Sequence, residues 1–207
     1  MTTAAKPKPR FSRLDPAQRR GQILAAAGRV FAERGYENTS TGQIAEAAGV
    51  TRGLLHHYFG SKRELYLAVV EAGAELFPAA LSTDTSGLPP EEVARRNLTA
   101  LLDSMENERD LWISARGFSS DPELEAILDR TRERVIDRII LNQTGSTDAP
   151  PELRLLLRCF LGLGDTAARE WLERDRASRD QVEVVLFNTL QAMLAQVLPE
   201  LMQPQDA

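Results

Sequence analysis

The stretch STGQIAEAAGVTRGLLHHYFGSK, Ser40 to Lys62, contains two short helices and the turn between them. Ser40 and Gln43 form an S-x-x-Q capping box, in which the hydroxyl takes a free amide of the first turn and the Gln43 side chain reaches back. Ile44, Ala45 and Ala48 then recur on one face, which is the core side. Gly49 supplies the left-handed backbone that ends this helix, Val50 plugs the turn, and Thr51 is placed to cap the next helix. So short a connection between two capped helices predicts a helix-turn-helix. Such a unit lays its second helix in the major groove of duplex DNA, with the N-terminal residues Thr51, Arg52, Gly53 and Leu54 leading. Arg52 is the candidate base reader, because its planar fork pairs bidentately with guanine O6 and N7, whereas Leu54 meets only a thymine methyl. Gly53 lets the backbone approach closely. His56, His57 and Tyr58 add donors and aromatic edges near the sugar-phosphate, and Lys62 opens the following helix beside its positive dipole end.

Working outward, the apolar residues recur at three and four with no sustained alternation, which predicts an all-α fold of about nine helices. Asp15 and Pro16 start a first helix whose buried face is Ile23, Ala27, Val30 and Phe31, and Gly35 stops it. STDTSGLPP (82–90) and NQTGSTDAPP (142–151) have loop composition. Helices are predicted at 91–107, 111–118, 122–141, 152–174 and 179–198. In 122–141 the inward stripe is Leu124, Leu128, Val135 and Ile139, and Arg130, Arg132, Glu133, Arg134 and Asp137 make a solvated face.

At 207 residues and 43% hydrophobic content the chain can bury a good-sized core. The net charge of -5 is unevenly spread: residues 1–62 carry +6 and residues 63–207 carry -11. A basic first third on an acidic body suits phosphate neutralisation at one end, although a basic disordered tail gives the same count. No run of consecutive apolar residues is long enough to span a membrane and no signal peptide is apparent, so a cytoplasmic protein is expected. One cysteine, Cys159, excludes an intrachain disulfide. His56 and His57 point about 100° apart on a helix, with no third histidine and no nearby cysteine, which argues against a metal site. No phosphate loop, nucleophile elbow or metal-ligand cluster is present, so neither an enzyme nor a cofactor is expected. A helical adaptor that kept the motif but binds only protein is disfavoured by the basic first third.

Residues 16 to 77 resemble the tetracycline-repressor-like (TetR) family of bacterial regulators. The likeness is carried by ILAAAGRVFAERGYENTS, TGQIAEAAGV and TRGLLHHYFGSKRELYLAVV. It implies DNA contacts at Thr41, Gly42, Gln43, Arg52, Gly53, Leu54, His56, His57, Tyr58 and Lys62, with Leu55 and Phe59 on the hydrophobic side. The family commonly has a tyrosine where His56 stands and often a longer polar residue where Gly42 stands. The resemblance divides the chain into a flexible basic arm (1–15), a DNA-binding domain (16–77) and a helical effector-binding and dimerisation domain (78–207).

Within that last region, LRLLLRCFLGLGDTAAREW (153–171) is apolar nearly all round, so more than one face must be covered. Gly162 and Gly164 permit close helix approach. With the final helix this makes, as the resemblance implies, an isologous four-helix homodimer interface, for which Leu163, Ala167, Val185, Leu186, Leu190, Met193 and Val197 are candidates. A pocket for a small apolar effector is expected around Phe77, Leu102, Met105, Trp112, Phe118, Phe160 and Trp171, side chains that serve equally as ordinary core. Asp165 follows an apolar run and needs a partner, for which Arg169 is one turn away. The expected function is a repressor whose dimer binds a palindromic operator and whose ligand favours a half-site spacing that DNA cannot match.

Overall fold

A computed structural model of the chain describes residues 15–81, 84–114 and 121–203, and every regular segment among them is helical. The first helix, α1 (Pro16–Arg34), begins where the sequence places it: Asp15 Oδ1 accepts from Gln18 N at 2.8 Å and Gln18 returns a bond to the Asp15 amide. It ends at Gly35, whose φ of 73° no β-carbon favours. Then come α2 (Thr41–Ala47), α3 (Arg52–Phe59) and α4 (Lys62–Ala74). A short α5 (Leu76–Ala80) follows. The periodicity does not separate it from α4, but Pro78 has no amide hydrogen for the Ala74 carbonyl, so the ladder breaks there. The boundary expected at 77 falls inside α5.

The remaining helices are α6 (Pro90–Asn107), α7 (Arg109–Ser114), α8 (Pro122–Thr144), α9 (Pro151–Ala168) and α10 (Arg179–Ala192). α9 runs on into a π-helical turn, Arg169–Glu173, and α10 into another, Met193–Val197, before α11 (Leu198–Leu201). The helix ends just after Leu172, and Arg109 of α7 donates to its carbonyl from Nε at 2.8 Å.

Two large cores follow from this order. One joins Ile23, Phe31, Ile44, Leu55 and Tyr66 of α1 to α4 with Leu124 and Ile127 of α8. The other joins Leu98, Leu102, Ile136, Leu156, Phe160 and Leu186 of α6, α8, α9 and α10. α8 therefore belongs to both. Its buried stripe is Leu124, Ile127, Val135, Ile136 and Ile140, while Leu128 and Ile139 are only half-buried, so the inward face is turned from the expected one. Its charged face is also more than solvated: Glu133 pairs with Arg158 at 2.6 Å and Asp137 with Arg154 at 2.8 Å, tying α8 to α9.

Candidate nucleic-acid interface and ligand cavity

The helix-turn-helix is built by its caps. Ser40 Oγ accepts from Gln43 N at 3.3 Å while the Gln43 side chain accepts from Ser40 N at 2.8 Å. Gly49 has φ +63°, and Val50 N donates to the Ala45 carbonyl at 2.9 Å across the turn. Thr51 Oγ1 then accepts from Leu54 N at 3.2 Å to start α3. Leu55 and Phe59 face inward, and Arg20 lies 5.1 Å over the Phe59 ring. Gln22 Nε2 donates to the Ala48 carbonyl at 2.9 Å, fixing α1 against the end of α2. The opposite side of α3 is therefore free: Arg52, Gly53, His56 and His57 are exposed, and Leu54 and Tyr58 are half-buried.

Two of these residues, Arg52 and His56, and Lys62 at the start of α4 already have neighbours within the chain. The Arg52 guanidinium crosses Gly42, where any β-carbon would collide with it. A side chain at 42 would push the flexible Arg52 guanidinium aside. His56 Nδ1 meets the Gly60 carbonyl, which can only accept, so this nitrogen carries the proton and the ring closes the C-terminus of α3. Lys62 Nζ sits 4.3 Å over the Tyr36 ring and donates to the Glu37 carbonyl at 3.4 Å. Gln43 is held in its capping box, and Thr41 is half-buried beside it.

α4 links this unit to the rest. At its start Arg63 Nε and Nη2 donate to the Asp121 carboxylate at 2.8 and 3.0 Å, and Nη2 also reaches Glu123 at 2.8 Å. Asp121, buried at 5% exposure, caps α8 as well, accepting from Glu123 N at 2.9 Å. Just beyond α4, Glu75 pairs with Arg134 of α8 at 2.5 Å. The Arg63 guanidinium, then the amides of α8, hold the Asp121 carboxyl below its usual range, and Arg134 does the same for Glu75. A carboxylate depressed on folding stabilises at pH values above its unfolded pKa, and that contribution disappears as pH falls through the folded value. Asp121→Asn keeps a capping oxygen and removes the charge. The melting temperature of the wild type is therefore expected to fall more steeply than that of the variant as pH drops below about 5 and through the folded value, as followed by circular dichroism. Parallel curves contradict the linkage.

Between α4, α6, α8 and α9 lies a cavity of about 110 Å³. Phe77, Leu102, Met105, Trp112, Phe160 and Asp165 line it, as do Val70, Gly73 and Ala74 of α4. Asp165 meets Arg132 of α8 at 3.4 Å, while Arg169 turns to Glu173, so the partner expected one turn away is replaced by one from another helix. Trp171 does not line this cavity. It packs beside Trp112, Ala168 and Leu172, within the π turn. Phe118 lies outside the described residues.

Known families match two stretches of the chain. Residues 23–69 match the model for bacterial regulatory proteins of the tetR family, and residues 90–193 match a tetracyclin repressor-like C-terminal domain. The chain belongs to the tetR family. It is a helix-turn-helix transcriptional regulator. This tetR-family chain is 29% identical over 175 residues to the HTH-type transcriptional activator FasR of Mycolicibacterium smegmatis, covering 81% of this chain and 78% of that protein. It is 32% identical over 118 residues to the HTH-type transcriptional repressor AcnR of Corynebacterium efficiens, covering 54% of this chain and 56% of that protein. Among solved structures, a TetR-like transcriptional regulator from Rhodococcus sp. RHA1 aligns at 27% identity and a TM-score of 0.70 over 89% of this chain and 100% of that one.

The residues expected at a dimer interface differ in their exposure within the chain. Leu186 and Leu190 are buried within the chain, and Leu163, Ala167 and Met193 are half-buried against the same core. Val185 and Val197 are exposed, together with Val184, Leu155, Leu201 and Met202, which the sequence did not single out. On α9 the outward stripe is Leu155, Cys159, Gly162 and Thr166. Neither Gly162 nor Gly164 is crowded within the chain, so no close approach inside it requires them.

Proposed function

We propose that this protein is a dimeric repressor that places α3 of each copy in successive major grooves of an inverted-repeat operator and releases it when a small, mainly apolar effector fills the cavity behind α4. One observation carries this reading. α4 begins beside α3, where Lys62 and Arg63 stand, and its last turns, Val70, Gly73 and Ala74, are a wall of the cavity. At about 110 Å³ the cavity is smaller than the ~300 to 1,000 Å³ typical of ligand pockets. An effector therefore fits only by displacing walls, and α4 transmits the displacement to α3. The ligand acts by binding the two arrangements with different affinity. The Arg132–Asp165 pair offers it a polar anchor.

The homodimer buries the exposed face of α10 and the outward stripe of α9 as an isologous four-helix contact. The helical run Arg179–Leu201 is long and apolar enough to cross a membrane by length and composition, with only 22% of its apolar window buried. A second subunit, rather than lipid, covers it, because its other face is already committed to α6 and α9 through Val182, Leu186 and Leu190.

Ala74→Leu fills the cavity permanently. It is expected to lower operator affinity at least tenfold while leaving the helical circular dichroism signal intact, and unchanged affinity contradicts the coupling. Arg52→Ala is expected to remove about 1 to 3 kcal/mol of discrimination at one base pair, and Lys62→Ala to weaken all sequences alike and flatten the salt dependence. Competition gel shifts with single-base operator variants distinguish the two patterns.

A further inference from the structure

Both histidines of the chain stand side by side on α3, at 56 and 57, exposed on the side that the core leaves free. Their rings are held differently. His56 Nδ1 donates to the Gly60 carbonyl while the Gly60 amide donates to the His56 carbonyl at 2.8 Å, so a reciprocal pair ties the ring to the end of the helix. A neutral imidazole with its proton on Nδ1 carries a lone pair on Nε2, across the ring, and no described residue bonds to that nitrogen. Toward an anion, neutral His56 therefore presents an acceptor. His57 has no such tie: among the described residues its ring meets the Tyr58 ring at 5.7 Å between centroids, and either nitrogen can carry the proton. A neutral His57 can turn an N–H toward a phosphate, whereas a neutral His56 does so only by giving up the Gly60 bond.

We propose that operator binding takes up a proton at His56 of each copy, so that the protein holds DNA more tightly as pH falls through the range in which histidine titrates. The inference rests on α3 entering the groove, which brings the exposed ring, one turn beyond Arg52, toward the phosphates. A proton from solvent turns Nε2 from an acceptor into a charged donor and leaves the Nδ1 bond in place, so the ring gains a contact with the anion and loses none. The end of α3 favours the same change, because a cation there faces the negative end of the helix dipole. Charges of the packed elements are already placed. On α4 the Glu64 carboxylate lies against Gly60 and accepts from the Ser61 amide at 2.8 Å, Lys62 sits over Tyr36, and Arg63 is held by Asp121 and Glu123. Arg20 of α1 lies over Phe59, Glu46 of α2 is exposed, and Arg52 of α3 crosses Gly42. Glu64 favours the imidazolium and Arg52 opposes it, with DNA or without, so the phosphate charge is what binding adds. By reciprocity, DNA that draws a proton to the ring is bound more tightly when the proton is already there.

The test uses the full chain and a duplex that it selects from random sequence, titrated by fluorescence anisotropy at about pH 6 and about pH 8 at one ionic strength. Wild-type affinity is expected to be at least tenfold higher at the lower pH, since each proton taken up contributes up to about tenfold per pH unit. His56→Gln, which does not titrate, is expected to bind alike at both, and His56→Phe gives the same flat response should the glutamine variant fail to fold. His57→Gln is expected to keep the wild-type ratio. Isothermal titration in buffers of different ionisation heat should show proton uptake by the wild type that His56→Gln abolishes. Nitrogen-15 spectra of the free protein at about pH 8 should show His56 with its proton on Nδ1. The same pH ratio in the wild type and His56→Gln, with selective binding retained, overturns the proposal and leaves the groove reading standing. A ratio lost in His57→Gln, or a His56 proton on Nε2, does the same. Absence of selective binding at either pH overturns both.

Discussion

Val185→Asp is expected to leave the chain folded but monomeric, and to lower operator affinity at least a hundredfold. Val185 is 50% exposed and contributes nothing to the chain's own core, so the substitution spares the monomer. In the proposed four-helix contact the symmetry places the new carboxylate in the interface twice, once from each copy. Taking ~3 kcal/mol as the smallest cost of an uncompensated charge in such a contact, dimerisation weakens by more than two tenfold steps. A monomer then presents a single α3 to a site built for two. Sedimentation velocity gives the oligomeric state, and fluorescence anisotropy with a labelled duplex gives the affinity. A variant that remains dimeric places the interface elsewhere, and a monomer that keeps wild-type affinity removes the need for paired half-sites.

Phe31→Ala is expected to cost about 3 to 5 kcal/mol of stability, a large share of the ~5 to 15 kcal/mol that holds a typical domain. The Phe31 ring is 2% exposed and meets the Tyr66 ring edge-on at 5.2 Å and the Tyr36 ring at 5.9 Å. These three rings fasten the end of α1 to α4. Tyr36 in turn carries Lys62 on its face, so the cavity left by the ring loosens the seat of α4 beside the recognition helix. Denaturant unfolding should show a lower midpoint, with DNA binding reduced under conditions where the variant is still folded. A loss below ~1 kcal/mol would mean that the site collapses around the missing ring and that the aromatic cluster is not the fastening described.

The sequence was most legible where one residue acts on its own neighbours. Asp15, Ser40 and Thr51 cap α1, α2 and α3 because capping is decided within three residues, and Gly49 turns the chain by a local backbone requirement. Features set by the meeting of distant helices were not legible. Asp165 takes Arg132, 33 residues away, because α8 and α9 lie side by side, a register that spacing along one helix does not contain. The outward stripe of α9 fell on Leu155, Cys159, Gly162 and Thr166 rather than Leu163 and Ala167, since a helix apolar nearly all round carries little phase information. Trp171 lies in a π turn and does not line the cavity behind α4, and such a turn leaves no clear mark in composition. In α3 the residue types pointed to an exposed face, but the bonds that occupy His56 and Lys62 depend on Gly60 and on the end of α1.

As a dimer, the protein is expected to read a DNA sequence through its paired α3 helices. Repeated selection of the full-length protein against random duplex DNA, with the recovered sequences measured over a range of salt concentrations, tests it most directly. The expected result is an enriched inverted repeat whose half-site centres lie about 34 to 36 Å apart or a multiple of that, with affinity falling steeply as salt rises. Recovery of no common sequence, or binding that does not change with salt, would contradict the account.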